Sequence, residues 1–200
     1  IRIFAKYLWD HGYTTSDNLD LLTKGGRVFV RRNNAEATNL TVSMGKLTLF
    51  DRIDMEIGGI TRRFVYPASI GNPHAVVIEQ VGELSDRIAK EIGPSIESHP
   101  SFPQRTNVQF VKVLDRSNIQ IEIWERGAGY TLSSGSSSSA AAGVCYRLGL
   151  CDKAVKVHQP GGTLDILVKD GFEIELTGEV SSVAEGQFTP AFIDQLLKLE

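Results

Sequence analysis

The sequence predicts an α/β protein made of two related halves. Segments in which apolar and polar residues alternate predict strands along most of the chain, and four segments show helical periodicity. Two regions also repeat one order of elements: a helix, a glycine, a turn, a glycine and a strand. The glycines are Gly12 and Gly26 in the first region and Gly149 and Gly162 in the second, 14 and 13 residues apart. This self-similarity favours a duplicated unit.

The first half opens with a predicted helix. Ile1, Ala5 and Leu8 recur at helical spacing, and Gly12 is a suitable C-terminal cap. A turn-rich segment then leads to the predicted strand RVFVRR. Alternation of apolar and polar residues predicts two or three further strands within 40–50 and 55–70.

The second half begins with a turn and a buried strand in GNPHAVVIEQV, residues 71–81. The apolar spacing then predicts a helix over 84–96 that is interrupted or restarted at Pro94. The segments TNVQFVKVLD and NIQIEIWE predict a hairpin. An alanine-rich helix over 140–152 and a second hairpin in TLDILVKDGFEIELTG come next, and Thr189-Pro190 begins a closing helix over 190–200.

The composition argues against several classes of protein. A net charge of −3, with no cluster of Lys and Arg, argues against a nucleic-acid partner. No apolar run approaches the ~20 residues that span a bilayer, so no membrane partner is expected. The two cysteines, Cys145 and Cys151, are too few for a disulfide framework and are expected to be reduced thiols in a cytoplasmic protein.

The stretch ERGAGYTLSSGSSSSAAAG, Glu125 to Gly143, has the composition of a flexible linker. It follows a predicted strand, however, and leads directly into a predicted helix. At such a strand–loop–helix junction, unpaired N–H groups and the helix dipole form an anion site. Small residues also allow a ligand to approach the backbone closely. We therefore expect this stretch to hold a carboxylate or a phosphate.

Several motifs occur in the order of a known family. ERGAGYTLSSGSSSSAAA is similar to the pattern E-R-G-x-G-E-T-L-A-C-G-T-G-x-x-A, and the opening IRIFAKY resembles the residues that follow the pattern C-G-N-G. Between and after them stand GNPH (71–74), GPSIESHPSFPQRTNVQF (93–110) and PGG (160–162). Together these motifs resemble the diaminopimelate epimerase family, racemases that work without pyridoxal phosphate, over nearly the whole chain.

The resemblance implies a fold and an organisation of the chain. The family fold is α/β (α+β), with two pseudo-symmetric halves that each wrap a mostly antiparallel sheet around a central helix and hold the ligand between them. We expect the remainder of the N-terminal half at 1–66, with its start absent from this chain, and the C-terminal half at 67–182. A tail at 183–200 would return to the N-terminal half and end in a helix. The resemblance implies an amino acid as the partner, with neither cofactor nor metal, and leaves a homodimer open.

The family inverts an α-carbon with two cysteines, since one base removes the proton and an acid on the opposite face returns it. By resemblance, the first cysteine would precede Ile1 and the second aligns with Ser134. A serine hydroxyl is a very weak acid and needs an adjacent base before it can act as one. Three interpretations stay open: a natural or deliberate inactivation that preserves binding, one surviving base with another residue serving the opposite face, or a changed reaction, as in the related phenazine-biosynthesis isomerase that relies on a carboxylate.

The resemblance assigns the distal amino-acid end of the substrate to Asn72, Asn107 and Arg126. Taken alone, Asn72 could merely shape a turn and Asn107 could cap the edge of a hairpin. Tyr130 stands where the family usually has glutamate, which bears on the choice of substrate.

The reacting end of the substrate is assigned by resemblance to four residues. Gly135 and Ser136 would offer backbone N–H groups to the carboxylate, whereas His74 and Glu125 would assist proton movement. Taken alone, His74 could belong to a turn, and Glu125 could form a solvated pair with Arg126.

We therefore expect a cofactor-independent isomerase that converts LL- to meso-diaminopimelate for lysine and peptidoglycan precursor synthesis, and impairment of this activity by Ser134 stays open. The alternatives are a racemase or isomerase of the same fold with another substrate, and a non-catalytic amino-acid-binding homologue.

Overall fold

The computed structural model describes residues 1–23, 25–57, 61–79 and 84–198. Within these ranges the α-helices are α1 (Arg2–Asp10), α2 (Asp86–Glu97), α3 (Gly135–Arg147) and α4 (Pro190–Leu196). The strands are β1 (Asn18–Thr23), β2 (Gly26–Arg32), β3 (Asn39–Lys46), β4 (Thr48–Leu49), β5 (Ile53–Ile57), β6 (Thr61–Ser69), β7 (Pro73–Ile78), β8 (Asn107–Asp115), β9 (Asn118–Glu125), β10 (Gly129–Thr131), β11 (Ala154–Gln159), β12 (Gly162–Val168) and β13 (Glu173–Glu179).

These strands join in one large sheet, in the order β1-β2-β3-β13-β12-β11-β9-β8-β7-β6-β4. β5 pairs with β6, and β10 pairs with β9. Most neighbours are antiparallel, and the parallel pairs are β7 with β8 and β11 with β9. β3 and β13 are antiparallel, with Val42 opposite Leu176, and this pairing joins β1–β3 to the rest of the sheet.

The predicted duplication is present as two similar units. The unit α1–β1–β2–β3 and the unit α3–β11–β12–β13 have the same element order, and the third strands of the two units pair with each other. Gly12 and Gly149 follow the helices with φ values of 69° and 71°, and Gly26 and Gly162 begin the second strands with φ values of 114° and 129°. Glycine adopts this left-handed backbone without steric cost. The turn-rich segment predicted after α1 is wrong in part, because it contains β1.

Helix α3 is the centre of the C-terminal half. Strands β6 to β9 and β11 to β13 all contact it, and Ser137 to Cys145 are buried on every side of the helix. Small side chains allow the strands to approach the helix this closely. The hydroxyls of Ser138 and Ser139 donate 2.8 Å hydrogen bonds to the carbonyls of Ser134 and Gly135. The serines after Gly135 are therefore the first turns of a helix, whereas the composition suggested a loop.

Helix α2 covers the other face of β8 and β9. Trp124 lies against it, and a Cβ added at Gly93 would stand 2.6 Å from the Trp124 side chain, so only glycine allows this approach. Pro94 lies inside α2, which continues to Glu97 instead of restarting as predicted. The buried apolar cluster under α2 includes Ala89, Ile96 and Phe110.

The chain after β13 has no regular structure until Thr189, whose side chain accepts a hydrogen bond from Phe192 N and caps α4 as predicted. Residues 80, 81, 199 and 200, which complete a predicted strand and the closing helix, lie outside the described residues. The division of the chain at 66/67 and 182/183 stays a prediction, and β6 spans the first of these points. None of the described helices is both long and apolar enough to cross a membrane.

Candidate active site

Three polar side chains lie in one row across the sheet, facing the start of α3. His74 on β7 pairs with Asn107 on β8, and the neighbouring pair of Val108 and Trp124 places Glu125 at the end of β9 beside Asn107. Alternate residues of these strands face opposite sides, so these three share the side on which residues such as Val76, Val111 and Ile121 contact α3. Residues far apart in the sequence are thus brought together at one end of the neighbouring strands β7, β8 and β9.

Ser134 is the N-cap residue of α3 and has the extended backbone typical of that position, with φ −147° and ψ 126°. Its residue surface is 9% exposed. Its N–H donates a 2.8 Å hydrogen bond to Oε1 of Gln159, and its carbonyl accepts from Ser138. Within the described ranges, Ser134 Oγ makes no hydrogen bond to another side chain. Among the described residues, no base therefore accepts a hydrogen bond from this hydroxyl.

The first two helical residues, Gly135 and Ser136, precede the first intrahelical hydrogen bond, which runs from Ser138 N to Ser134 O at 3.1 Å. Their N–H groups are therefore not used by the helix. Both residues line a pocket of about 380 Å³ between α3 and the start of the N-terminal unit, together with Ile1, Arg2, Val28, Val42, Ser43, Met44 and Leu176. The positive end of the helix dipole thus opens between the two units, where an anion is favoured.

His74 is completely buried, and its Nε2 lies 3.0 Å from Asn72 Oδ1. Burial lowers the pKa of His74 to about 4; the nearby side chain of Gln109 raises this pKa, and the positive charge of Arg126 lowers it. Desolvation is the largest of these causes because it penalises the charged imidazolium. The ring is therefore neutral at physiological pH, so it can exchange a proton without first losing one to solvent.

The side chain of Asn107 ties β7 to the turn that carries Arg126. Its Nδ2 donates to Pro73 O at 2.9 Å, and its Oδ1 accepts from Arg126 N at 3.0 Å. The guanidinium of Arg126 donates to Gln104 O at 3.1 Å from an exposed position, and Glu125 accepts from the hydroxyl of Thr131 at 3.3 Å. The resemblance-based site residues thus surround one edge of the sheet. Their individual roles stay predictions.

Tyr130 lies on the other side of the sheet. Its hydroxyl donates a 2.8 Å hydrogen bond to Glu122, and its ring packs in the cluster under α2, with Lys90 Nζ 4.6 Å from the ring centroid. Burial raises the pKa of both Tyr130 and Glu122. The residue that differs from the family glutamate therefore faces α2 and not the row of site residues.

The two cysteines are buried in the core and do not reach the start of α3. Cys145 lies near the C-terminal end of α3, and Cys151 Sγ is 3.8 Å from Ala142 O. A hydrogen bond with Cys151, together with burial, raises the pKa of Cys145. In the part of the chain that the structure describes, no three His, Cys, Asp or Glu side chains are grouped as metal ligands would be.

Two glutamines belong to the site and were not among the predicted residues. Gln109 is completely buried on β8 and donates a 3.1 Å hydrogen bond to Ser137 Oγ. Gln159 ends β11 and is 8% exposed. Each stands at a position where the alternation of its strand places the side chain inside the protein. A polar residue at such a position is the sequence feature that could have identified these two glutamines.

Comparison with protein families places this architecture among known proteins. The family model for diaminopimelate epimerase matches residues 66–183. Diaminopimelate epimerase 2 of Nostoc sp. is 44% identical over 202 residues, which cover 94% of this chain and 70% of that protein. Diaminopimelate epimerase of Clostridium perfringens is 33% identical over 201 residues, which cover 94% of this chain and 72% of that protein.

Solved structures share the fold at low sequence identity. A hydroxyproline epimerase from Agrobacterium vitis superposes with a TM-score of 0.64 at 14% identity, covering 88% of this chain and 61% of that one. A phenazine biosynthesis protein from Clostridium difficile superposes with a TM-score of 0.65 at 13% identity, covering 92% of this chain and 70% of that one. These two likenesses concern the fold alone.

Proposed function

Because the chain belongs to the diaminopimelate epimerase family of isomerases, we propose that it acts on diaminopimelate, removing and returning the proton at one α-carbon. The reaction would interconvert the LL and meso forms for lysine and peptidoglycan precursor synthesis. The chemistry requires a proton acceptor and a proton donor but no bound cofactor. A cytoplasmic location and a homodimer are part of the proposal.

The observation that carries the proposal is the convergence of His74, Asn107 and Glu125 in one row on the face of the sheet that packs against α3. That convergence puts polar side chains of the sheet opposite an N-terminal helix end whose first N–H groups are free of intrahelical bonds. An amino acid needs both: donors for its carboxylate and groups that handle the α-proton. A carboxylate held at a helix N-terminus is also stabilised as negative charge spreads from the α-carbon toward it.

We assign the carboxylate of the reacting carbon to the N–H groups of Gly135 and Ser136. The uncharged His74 and the carboxylate of Glu125 are assigned to proton movement at that carbon.

The distal amino-acid end of the substrate is assigned to Asn72, Asn107 and Arg126. Arg126 is exposed, and among the described residues its guanidinium donates only to Gln104 O, so its other N–H groups can take a carboxylate. Asn72 Oδ1 accepts a hydrogen bond from His74 Nε2 at 3.0 Å, which links the two ends of the proposed site.

Ser134 limits the reaction in this proposal. Its Oγ stands at the helix N-cap, where the family pattern has cysteine, but no base among the described residues contacts it. An unassisted hydroxyl neither ionises near neutral pH nor removes an α-proton at a useful rate. The same observation favours a second candidate function, a homologue that binds the amino acid without turning it over. Another racemase or isomerase activity of the same fold stays an alternative.

The deciding experiment incubates the full-length gene product with LL-diaminopimelate in deuterated water and follows the α-proton by NMR. We compare the natural protein with Ser134→Cys, which restores a thiol, and with Ser134→Ala as the matched control that has neither group. We expect slow exchange in the natural protein and in Ser134→Ala, and fast exchange with inversion in Ser134→Cys. If none of the three proteins exchanges the α-proton but all still bind diaminopimelate, the non-catalytic amino-acid-binding homologue would be favoured. Absence of both binding and exchange would remove diaminopimelate as the ligand.

A further inference from the structure

Glu97, the last residue of α2, is a buried acid outside the proposed site. It is 3% exposed, and its carboxylate has three hydrogen-bonding partners. Oε2 accepts from Trp124 Nε1 at 2.6 Å, and Oε1 accepts from Gly127 N at 2.9 Å and from Arg105 at 2.7 Å. Three donors from three segments of the chain converge on this group, and its two oxygens accept all three hydrogen bonds.

The donors belong to the segments that frame the turn after β9. Trp124 is the second-last residue of β9, next to Glu125, and Gly127 follows Arg126 directly. The adjacent N–H of Arg126 is held from the opposite side by Asn107 Oδ1 at 3.0 Å. Consecutive amides of one turn are thus fixed by two side chains on different elements, which leaves the turn little freedom to move.

The indole of Trp124 is itself held in place, so the hydrogen bond that it donates to Glu97 comes from a rigid donor. A Cβ on Gly93 would stand 2.6 Å from the Trp124 side chain, and a Cβ on Gly129 would stand 3.6 Å from the indole ring. The third donor, Arg105, carries the positive charge that offsets the buried carboxylate. It also belongs to the segment that offers Gln104 O to Arg126.

We propose that Glu97 is a positioning residue for the ligand site, fixing the 125–127 turn so that Glu125 and Arg126 present their side chains to the substrate. This inference rests on the proposed function, in which Arg126 holds the distal carboxylate of diaminopimelate. Glu97 does not touch the substrate and acts only through the turn.

The test replaces Glu97 by Gln, which keeps the shape of the side chain but turns one acceptor into a donor facing another donor. Glu91→Gln, at an exposed position of the same helix, is the matched control. Isothermal titration measures the Kd of diaminopimelate and of lysine, which lacks the distal carboxylate. In Glu97→Gln we expect diaminopimelate to bind about tenfold more weakly than in the natural protein, whereas the Kd of lysine should be unchanged. In Glu91→Gln both Kd values should be those of the natural protein.

A double-mutant cycle with Arg126→Ala separates positioning from general loss of stability. If Glu97 acts through Arg126, the double variant binds diaminopimelate no more weakly than Arg126→Ala alone. Additive losses, or equal losses for diaminopimelate and lysine, would overturn the proposal.

Amide hydrogen exchange gives a readout that needs no ligand. The Gly127 amide should exchange faster in Glu97→Gln than in the natural protein, with the amides of α3 unchanged, and unchanged exchange at Gly127 would overturn the proposal. If natural protein binds no diaminopimelate, the proposed function fails, while faster exchange at Gly127 would still support the fixing of the turn by Glu97.

Discussion

The backbone N–H of Ser134 donates a 2.8 Å hydrogen bond to Oε1 of Gln159, so the side chain at the end of β11 fixes the N-cap of α3. The remaining Nε2 of Gln159 is buried and has no partner among the described residues. The glutamine thus stands beside the two N–H groups that we assign to the ligand carboxylate.

Gln159→Glu is expected to separate stability from ligand binding. A carboxylate at this position still accepts the Ser134 N–H and is favoured by the helix dipole, so the free energy of unfolding should change little. The added negative charge faces the place proposed for the ligand carboxylate and should weaken the Kd of diaminopimelate by about tenfold or more. Titration calorimetry and urea denaturation measure the two quantities, and Gln187→Glu in the exposed tail is the matched charge control. Equal affinity in Gln159→Glu and in the natural protein would argue against a carboxylate at the start of α3.

Gln159→Leu tests the same bond from the other side. Leucine leaves the buried Ser134 N–H without an acceptor, and we expect the free energy of unfolding to fall by about 1–3 kcal/mol. Urea denaturation with a two-state fit measures this loss. A neutral effect would mean that water replaces the glutamine oxygen.

His74 should make the stability of the protein depend on pH. Its pKa is lowered from 6.5 to about 4 by burial, so between these values the unfolded chain binds more protons than the folded one. The free energy of unfolding should therefore decrease as the pH falls from 6.5 to 4. Above pH 6.5 the contribution of His74 to it should be constant. The shift corresponds to a loss on the order of 3 kcal/mol.

Thermal or urea denaturation between pH 4 and pH 8 measures this dependence. In His74→Gln the decrease below pH 6.5 should be smaller than in the natural protein, whatever the change in stability at pH 7. His11→Gln, on the exposed end of α1, should keep the natural slope. If His74→Gln showed the same slope as the natural protein, His74 would not be the buried titrating group.

Close packing of α3 gives a prediction at Gly143. A Cβ at this position would overlap Leu47 Cδ2, and Leu47 is only 2% exposed, so it has no free space to move into. We expect Gly143→Ala to reduce the free energy of unfolding by about 1–3 kcal/mol through overpacking. Leu47→Ala in the same chain should relieve the overlap, so the double variant should be more stable than the sum of the single losses predicts. Strictly additive losses would show that α3 shifts to accommodate the new methyl group.

Local patterns predicted the strands and helices well where periodicity and glycines agreed. The repeat marked by Gly12 and Gly149 is an example. Each of these glycines follows a helix with a positive φ, and Gly26 and Gly162 begin the strands that come later. These features depend on neighbouring residues only. Strand β1 was missed because its polar residues Asn18 and Asp20 resemble a turn, whereas pairing with β2 decides its conformation.

The start of α3 could not be predicted from local propensity. Serine disfavours helix interiors in water, but here strands enclose the helix, and its hydroxyls bond to carbonyls one turn earlier. The family pattern supplied most of the proposed site, whereas Gln109 and Gln159 depend on which side chains the sheet turns inward. Gln109 lies within the segment 93–110 and Gln159 directly precedes PGG, but the resemblance assigned neither a role, and only the folded arrangement brings them to Ser137 and Ser134.

Tyr130 should affect stability and not the choice of ligand. Its hydroxyl donates to the buried Glu122 at 2.8 Å, which stabilises the charged carboxylate, and its ring lies under α2, away from the row that faces α3. Tyr130→Phe leaves Glu122 without this donor, and we expect a loss of about 1–3 kcal/mol in the free energy of unfolding. The Kd of diaminopimelate should stay within about twofold of the natural value.

The loss in Tyr130→Phe should depend on pH. Burial already raises the pKa of Glu122, so the folded state binds more protons than the unfolded one above the ordinary carboxyl range, and stability decreases as the pH rises through the raised value. Removing the Tyr130 hydroxyl should raise this pKa further, because the charged carboxylate loses a donor. The destabilisation of Tyr130→Phe should therefore be greater at pH 8 than at pH 4, as measured by urea denaturation at both values. An equal loss at the two pH values, or a much weaker Kd for diaminopimelate, would place Tyr130 in a role other than support of Glu122.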